Sequence, residues 1–525
     1  MSFKSITGAL LLLIVTITAC VNEPAVSYNE IEQRSLKAWI EKYHPELADN
    51  YQENGGYYVE LLNDEWEDRD GVKWGNPDSL PITGEDVWVW FDLTARDLQG
   101  NICETRNAVL AEQLATYNNH AHYAPAIRFS GKDSHTLMEG TYLATFNKLK
   151  IGNEEVEVRY GTKLRLYLPS SVTGSTVSTA DGGYEGQFEA DESKPMIVDM
   201  TIYGHVVNPV EYEGERVNGF ASGNGGLCSE HKATIEDTET KSMYRRCITR
   251  NDESNEEENA RVMEFYDGRW HQPIDTLEHL YVKYLYSPAE APLNFDVMGK
   301  DTLKYPGECE YSAGQIYGNG QLSSVDSRIN AALIERFGKG LTTEENIIAA
   351  DSLKRTSEAK IWYIGRFLDG FIFDTNIDEV KEIIYGKIES AGEAIKFDTA
   401  EPLENSFILA WNYSIPTLRY NQWAMILTAS TYGYGISGQV GSHTTTTNYS
   451  DNYYNYANYY NYMNYMNNYY GYGYGNMYNN SYYGYDPYYY GYNYNLTEDD
   501  VTTTSITSTE IPAYSPLLFQ VFVEK

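Results

Sequence analysis

Residues 361–375, Ile361-Trp362-Tyr363-Ile364-Gly365-Arg366-Phe367-Leu368-Asp369-Gly370-Phe371-Ile372-Phe373-Asp374-Thr375, decide the fold of this chain. β-branched and aromatic residues fill both ends of the stretch, and Asp369-Gly370 supplies turn chemistry between them. The pattern predicts one strand with Tyr363 pointing inward, a turn, and a second strand carrying Phe373 beside Asp374. Downstream, Ser406 to Leu418 places Phe407, Trp411 and Ile415 at intervals of four, one face of a short helix. Ala424 to Ala429 reads as a strand and runs into Thr431-Tyr432-Gly433-Tyr434-Gly435. Ile511-Pro512 then precedes Leu517 to Val523, where Leu517, Phe519, Val521 and Val523 alternate as an inward-facing set.

Working outward toward the N-terminus, Tyr28 to Tyr43 reads as a helix, with Ile31, Leu36, Trp39 and Ile40 at helical spacing and His44-Pro45 as its stop. Gly55-Gly56 opens a strand at Tyr57 to Leu62, and Val87 to Leu93, Val156 to Val158, Lys163 to Leu168 and Met196 to Tyr203 read as further strands. An α+β domain over residues 28–215 is expected. Residues 216–270 read as an acidic linker, because Asp252 to Glu258 repel one another and show no hydrophobic period. They lack the alternating Asp/Asn/Gly pattern of a calcium loop. Residues 271–358 read as a connecting segment, with a strand at Leu280 to Tyr286, a helix at Val325 to Phe337 closed by Gly338, and a capping box at Thr342-x-x-Glu345. The second domain is expected over 359–525, with a low-complexity insertion at 440–509. Within that insertion, Tyr449 to Tyr494 is nearly all Tyr, Asn and Gly and holds about twenty of the 49 tyrosines. A segment with almost no aliphatic residues builds no ordinary core, but can self-associate or stack on peptide or glycan surfaces.

A length of 525 residues implies more than one core. The formal charge of −36 excludes nucleic acid as a partner, since binding a duplex needs clustered Lys and Arg. Five cysteines and nine histidines form no C-x-x-C and no H-E-x-x-H, so no metal or cofactor is expected from motif. Cys228 and Cys247 are candidates for a disulfide in an oxidising compartment. No G-x-S-x-G elbow or Cys-His signature supports a hydrolase. At the N-terminus, Lys4 and the apolar run Ala9 to Ala19 have signal-peptide proportions and are too short to span a bilayer. The run ends in Ile17-Thr18-Ala19-Cys20, which resembles a bacterial lipobox. That resemblance implies a signal peptide at 1–19, acylation of Cys20, a short tether at 20–27, and anchorage in a Gram-negative envelope, at the outer membrane.

The C-terminal set resembles the FKBP family of peptidyl-prolyl cis-trans isomerases. The matching motifs, in order, are Y-x-G at 363–365, D-G-x-x-F-D at 369–374, the helix with Trp411, Y-x-Y-G at 432–435, and Ile511-Pro512 before the closing strand. The resemblance implies an antiparallel sheet curled around one short helix, with a pocket between them. Carried over by position, Asp374, Tyr434 and Trp411 would be catalytic. Tyr363, Phe373, Phe407, Ile408, Ile511, Phe519 and Phe397 would bind substrate, and no cofactor is implied. Asn421 stands where the family has a glycine. The N-terminal domain resembles the same family in eroded form, with Phe91 in the tyrosine position, Asn101-Ile102-Cys103 in place of Phe-Asp, and Thr141 in place of the tryptophan. Two functions follow as expectations. One is a tethered prolyl isomerase acting on proline-containing exported proteins. The other is a non-catalytic binding or structural lipoprotein that uses the scaffold and the tyrosine segment for adhesion.

Overall fold

The computed structural model describes residues 28–63, 81–84, 86–98, 102–114, 117–123, 125–131, 137–173, 195–228, 263–274, 277–288, 293–295, 322–350, 353, 358–386, 388, 390–439, 441, 443–448, 501–506 and 508–525. Cys20, Cys247, the acidic run and Tyr449 to Tyr494 lie outside them.

The first half runs α1 (Tyr28–Tyr43), β1 (Tyr51–Gln52), β2 (Tyr57–Leu61), β3 (Asp86–Asp97), β4 (Ile102–Thr105), α2 (Ala108–Gln113), β5 (Ala126–Gly131), α3 (Glu139–Phe146), β6 (Leu149–Ile151), β7 (Glu154–Val156), β8 (Thr162–Leu168) and β9 (Met196–Val206). Its sheet is ordered β1-β2-β8-β9-β3-β4, with β5 also on β3, and every pairing is antiparallel. Strand β3 alternates along its length, so Val87, Val89, Phe91, Leu93 and Ala95 enter the core on one face. Short α3 packs on that face. On the other, α1 lays Leu36, Trp39 and Ile40 against Tyr58, Tyr167 and Ile197.

The second half runs α4 (Pro209–Gly223), β10 (Leu280–Leu285), α5 (Leu322–Phe337), α6 (Glu344–Ala349), β11 (Glu358–Phe367), β12 (Ile372–Thr375), α7 (Asp378–Tyr385), β13 (Ile395–Asp398), α8 (Leu409–Ser414), β14 (Gln422–Thr428), β15 (His443–Asn448), β16 (Val501–Ile506) and β17 (Leu517–Glu524). The order is β10-β14-β17-β11-β12, with β13 also on β11, again antiparallel throughout. Strands β14 and β17 are buried on both faces because α8 covers one and α4, α5 and α7 cover the other. A separate hairpin, β15–β16, pairs Asn448 with Val501 and so closes the base of the tyrosine-rich segment. The architecture is α+β with antiparallel sheets, as the sequence pattern predicts.

The two sheets repeat one plan down to register. In each, the hairpin after the long strand slips by one residue at the same place. Ala95 faces Glu104 and Arg96 faces Ile102, while Gly365 faces Asp374 and Arg366 faces Ile372. In each, a helix at the start of the unit sends a glutamate to the serine that follows the penultimate strand. Glu32 accepts from the Ser170 backbone N–H (2.9 Å) and hydroxyl. Glu213 accepts from the Ser430 backbone N–H and hydroxyl (2.7 Å). Gly161 and Asn421 occupy the same turn at φ 74° and 60°. Asparagine tolerates this left-handed conformation, so the loss of glycine costs the turn little.

This plan revises three sequence expectations. Helix α4, divided at residue 216 between the first domain and the linker, and strand β10, read as connector, are structural parts of the second sheet's unit. Val217, Phe220 and Ala221 of α4 pack with Trp423 and Leu427, and Leu280 to Leu285 pair along β14. The cap of α6 is Thr343, whose hydroxyl accepts from the Asn346 N–H (3.2 Å), rather than Thr342. In the first sheet the tyrosine position belongs to Leu93, not Phe91. Glu104, rather than Asn101-Ile102-Cys103, holds the register position that Asp374 holds.

Candidate functional site

The slip between β11 and β12 leaves Phe373 as the unopposed extra residue of a bulge, which turns its ring into the sheet's concave face and leaves Asp374 at the rim. Gly365 is glycine for this reason. A Cβ there would lie 2.6 Å from the Phe373 ring. The backbone of Tyr363 is fixed from both sides, its N–H donating to Asn376 Oδ1 (2.8 Å) and its carbonyl accepting from Thr375 Oγ1 (2.7 Å). Its phenol then reaches across the hairpin and donates to the Asp374 carboxylate.

Beneath Tyr363 the aromatic rings interlock edge to face. Trp411 meets Tyr363 at 5.0 Å and Phe519 at 5.5 Å, and Phe373 meets Phe519 at 5.8 Å. Phe407 packs on Trp411 at 5.9 Å and stacks on Phe397 of β13 at 6.1 Å. Trp411 and Phe519 are 4% and 2% exposed. The Trp411 indole N–H has no acceptor among the described residues, although a buried donor normally finds one. Phe407 and Ile408, at the mouth of α8, are half-buried.

A cavity of about 250 Å³ opens at the rim, lined by Phe373, Asp374, Tyr385, Tyr434, Ile511 and His120 among others. Ile511 and Tyr434 reach it on two segments clamped together, Ile511 exchanging both backbone hydrogen bonds with Gln439 at 2.8 Å. Burial, reinforced by the negative charge of Asp374, pushes the Tyr434 phenol up to about 12. Burial first and Asp374 second likewise raise Tyr363 and Tyr385. All three phenols therefore stay protonated beside one carboxylate, and Tyr363 is the one that donates to it.

The structure thus brings all ten sequence-predicted residues into one neighbourhood but divides them into two shells. Phe373, Asp374, Tyr434 and Ile511 line the cavity. Tyr363, Trp411, Phe519, Phe407, Ile408 and Phe397 belong to or pack against the aromatic cluster behind it. Cys20 lies outside the described residues.

Sequence reasoning missed the contribution of the first half. The loop after α2 delivers His120 to the cavity, where it stacks on Tyr385 at 4.0 Å. Two residues on, the His122 ring lies over Phe367 at 4.6 Å, and its Nε2 is 2.6 Å from Asp369 Oδ2. Strand β5 adds an ion pair from Arg128 to Glu510 (2.8 Å), and Trp88 meets Tyr514 edge-on at 4.8 Å. No local pattern announces such contacts, which join positions hundreds of residues apart. Tyr385 was legible, as the last residue of the amphipathic run Asp378 to Tyr385.

No family model and no curated protein matches the chain. Solved structures do. The three FKBP domains of wheat FKBP73 align over 90% of this chain and 95% of that one, at 10% identity and a TM-score of 0.18. FkpA from Escherichia coli aligns over 39% of this chain and 73% of its own, at 9% identity and a TM-score of 0.19. A peptidyl-prolyl cis-trans isomerase from Pseudomonas syringae aligns over 34% and 66%, at 12% identity and a TM-score of 0.15. Likeness this slight conveys neither activity nor substrate.

Proposed function

We propose that this chain is a prolyl cis-trans isomerase built from two FKBP-like domains, with catalysis in the second, tethered to the bacterial outer membrane through acylated Cys20 and acting on proline-containing exported proteins. The observation that carries this reading is the Tyr363–Asp374 hydrogen bond on the rim of a cavity walled by Phe373, Tyr434 and Ile511, with Trp411 directly behind it. The cavity is below the range of about 300–1,000 Å³ typical of small-molecule sites, a size suited to one or two residues of an extended peptide.

An X–Pro bond resists rotation by about 18–20 kcal/mol because its C–N bond is partly double. Rotation destroys that resonance and leaves a less polar carbonyl, which an apolar enclosure tolerates better than water does. Phe373 and Ile511 supply the apolar wall. The Tyr434 hydroxyl donates to the substrate carbonyl, and Asp374 accepts from a flanking amide N–H. Trp411, packed edge to face on Tyr363 at 5.0 Å, supports this wall from behind rather than lining it. The chemistry asks nothing of a nucleophile.

A second reading, a non-catalytic binding lipoprotein, is favoured by one observation: Trp411 and Phe519 are sealed under Tyr363 rather than open to the cavity. A peptide isomerisation assay on the full chain distinguishes the two. The first reading expects acceleration that survives removal of 449–494. The second expects a rate equal to buffer alone, with partner retention lost on that deletion.

A further inference from the structure

We propose that Cys228, Asp267 and His271 form a zinc site at the edge of the second sheet. The thiol, a carboxylate oxygen and an imidazole nitrogen lie within 4.8 Å of one another. Each donor is carried on backbone that is fixed independently. The Cys228 N–H donates to the Trp270 carbonyl (2.9 Å), and the Trp270 N–H donates to the Gly226 carbonyl (3.0 Å). His271 exchanges both backbone hydrogen bonds with Val282 of β10 (2.7 and 2.8 Å), which ties it to the sheet, and it is buried. Asp267 is held by the turn it opens, its Oδ1 accepting from the Arg269 N–H (2.8 Å) while lying 3.0 Å from His271 Nε2. Gly225, at φ 110°, lets the two segments approach, since a Cβ there would collide with the Gly268 carbonyl oxygen.

The donor chemistry selects the metal. Thiolate and imidazole prefer zinc over magnesium or calcium, which take oxygen ligands. Bond lengths of about 2.0–2.3 Å around a tetrahedron place donors nearer together than 4.8 Å. Rotation of Cys228 and Asp267, the two less buried residues, closes the difference, and water takes the fourth position. Binding releases the thiol proton, so affinity rises with pH. The bound ion would clip the segment that follows α4 onto edge strand β10.

The test is cobalt titration of the purified full chain as a spectroscopic proxy for zinc, compared with Cys228→Ser and with Asp267→Asn. Expected are one equivalent giving thiolate-to-cobalt charge transfer, loss of that band in Cys228→Ser, and at least ten-fold weaker binding in Asp267→Asn. A rise in melting temperature with added zinc, absent in Cys228→Ser, is expected alongside. The proposal is overturned if the wild-type chain shows no such band or if Cys228→Ser keeps it undiminished. Mass spectrometry of the unreduced protein finding Cys228 in a disulfide overturns it equally. None of these readouts depends on isomerase activity.

Discussion

The two sheets share a plan but fill their concave faces differently. Where the second sheet has Tyr363, the first has Leu93, and where the second has Phe519, the first has Val198. Helices α3 and α8 both begin from an extended residue, Met138 and Ile408, which places Thr141 opposite Trp411. The bulge pair makes the point most clearly. Ala95 carries a methyl where Gly365 carries none, and the residue left unopposed in register is Cys103 in the first hairpin and Phe373 in the second. The aromatic cage is therefore an overlay on a scaffold that folds without it. The first sheet's core is mainly aliphatic, with Tyr57, Phe91 and Tyr160 as its buried rings.

That comparison breaks first, if it breaks, at the helix. Trp411→Ala removes a buried ring cluster and is expected to cost about 3–5 kcal/mol in guanidinium unfolding. Thr141→Ala, losing one hydroxyl bonded to the Met138 carbonyl at 2.8 Å, should cost about 1–2 kcal/mol. Equal losses would mean that the two positions are not equivalent. Next comes the bulge: Gly365→Ala must displace the Phe373 ring and should cost about 1–3 kcal/mol, whereas Ala95→Gly should cost about 1 kcal/mol or less.

The smallest effect is a pH slope. Burial holds the Asp92 carboxyl up at about 6, only partly offset by Arg106. A folded value above the unfolded one of about 3.9 means that ionisation opposes folding. Its contribution should fall as pH rises from about 4 to about 6 and stay level above that. Asp92→Asn should flatten that part of the stability profile. The matching position in the second sheet is Trp362, which does not titrate.

Much of the second sheet was legible because its hairpin, helix and closing strand each carry a strong local signal. Turn chemistry and spacing placed Tyr363, Phe373, Asp374 and Trp411 on their elements, and the family resemblance grouped them into one site. The first sheet was read two residues out of register, since Phe91 is the nearer aromatic and only strand pairing shows Leu93 in its place. Helix α4 was cut by the domain boundary drawn at residue 216, though Asn208-Pro209 marks a helix start, and the Asn208 side chain does accept from the Glu211 N–H (3.3 Å). The apolar set Val217, Phe220 and Ala221 was the remaining clue. His120 had no such signal, because its role depends on how the two halves meet.

The duplicated carboxylate position permits the most direct test. Two-dimensional exchange spectroscopy on a short X–Pro peptide would compare the wild-type chain, Asp374→Ala and Glu104→Ala. The account predicts that Asp374→Ala lowers the catalysed exchange rate by at least ten-fold while Glu104→Ala leaves it unchanged. Exchange that is no faster than in buffer, or that Asp374→Ala leaves intact, would contradict it.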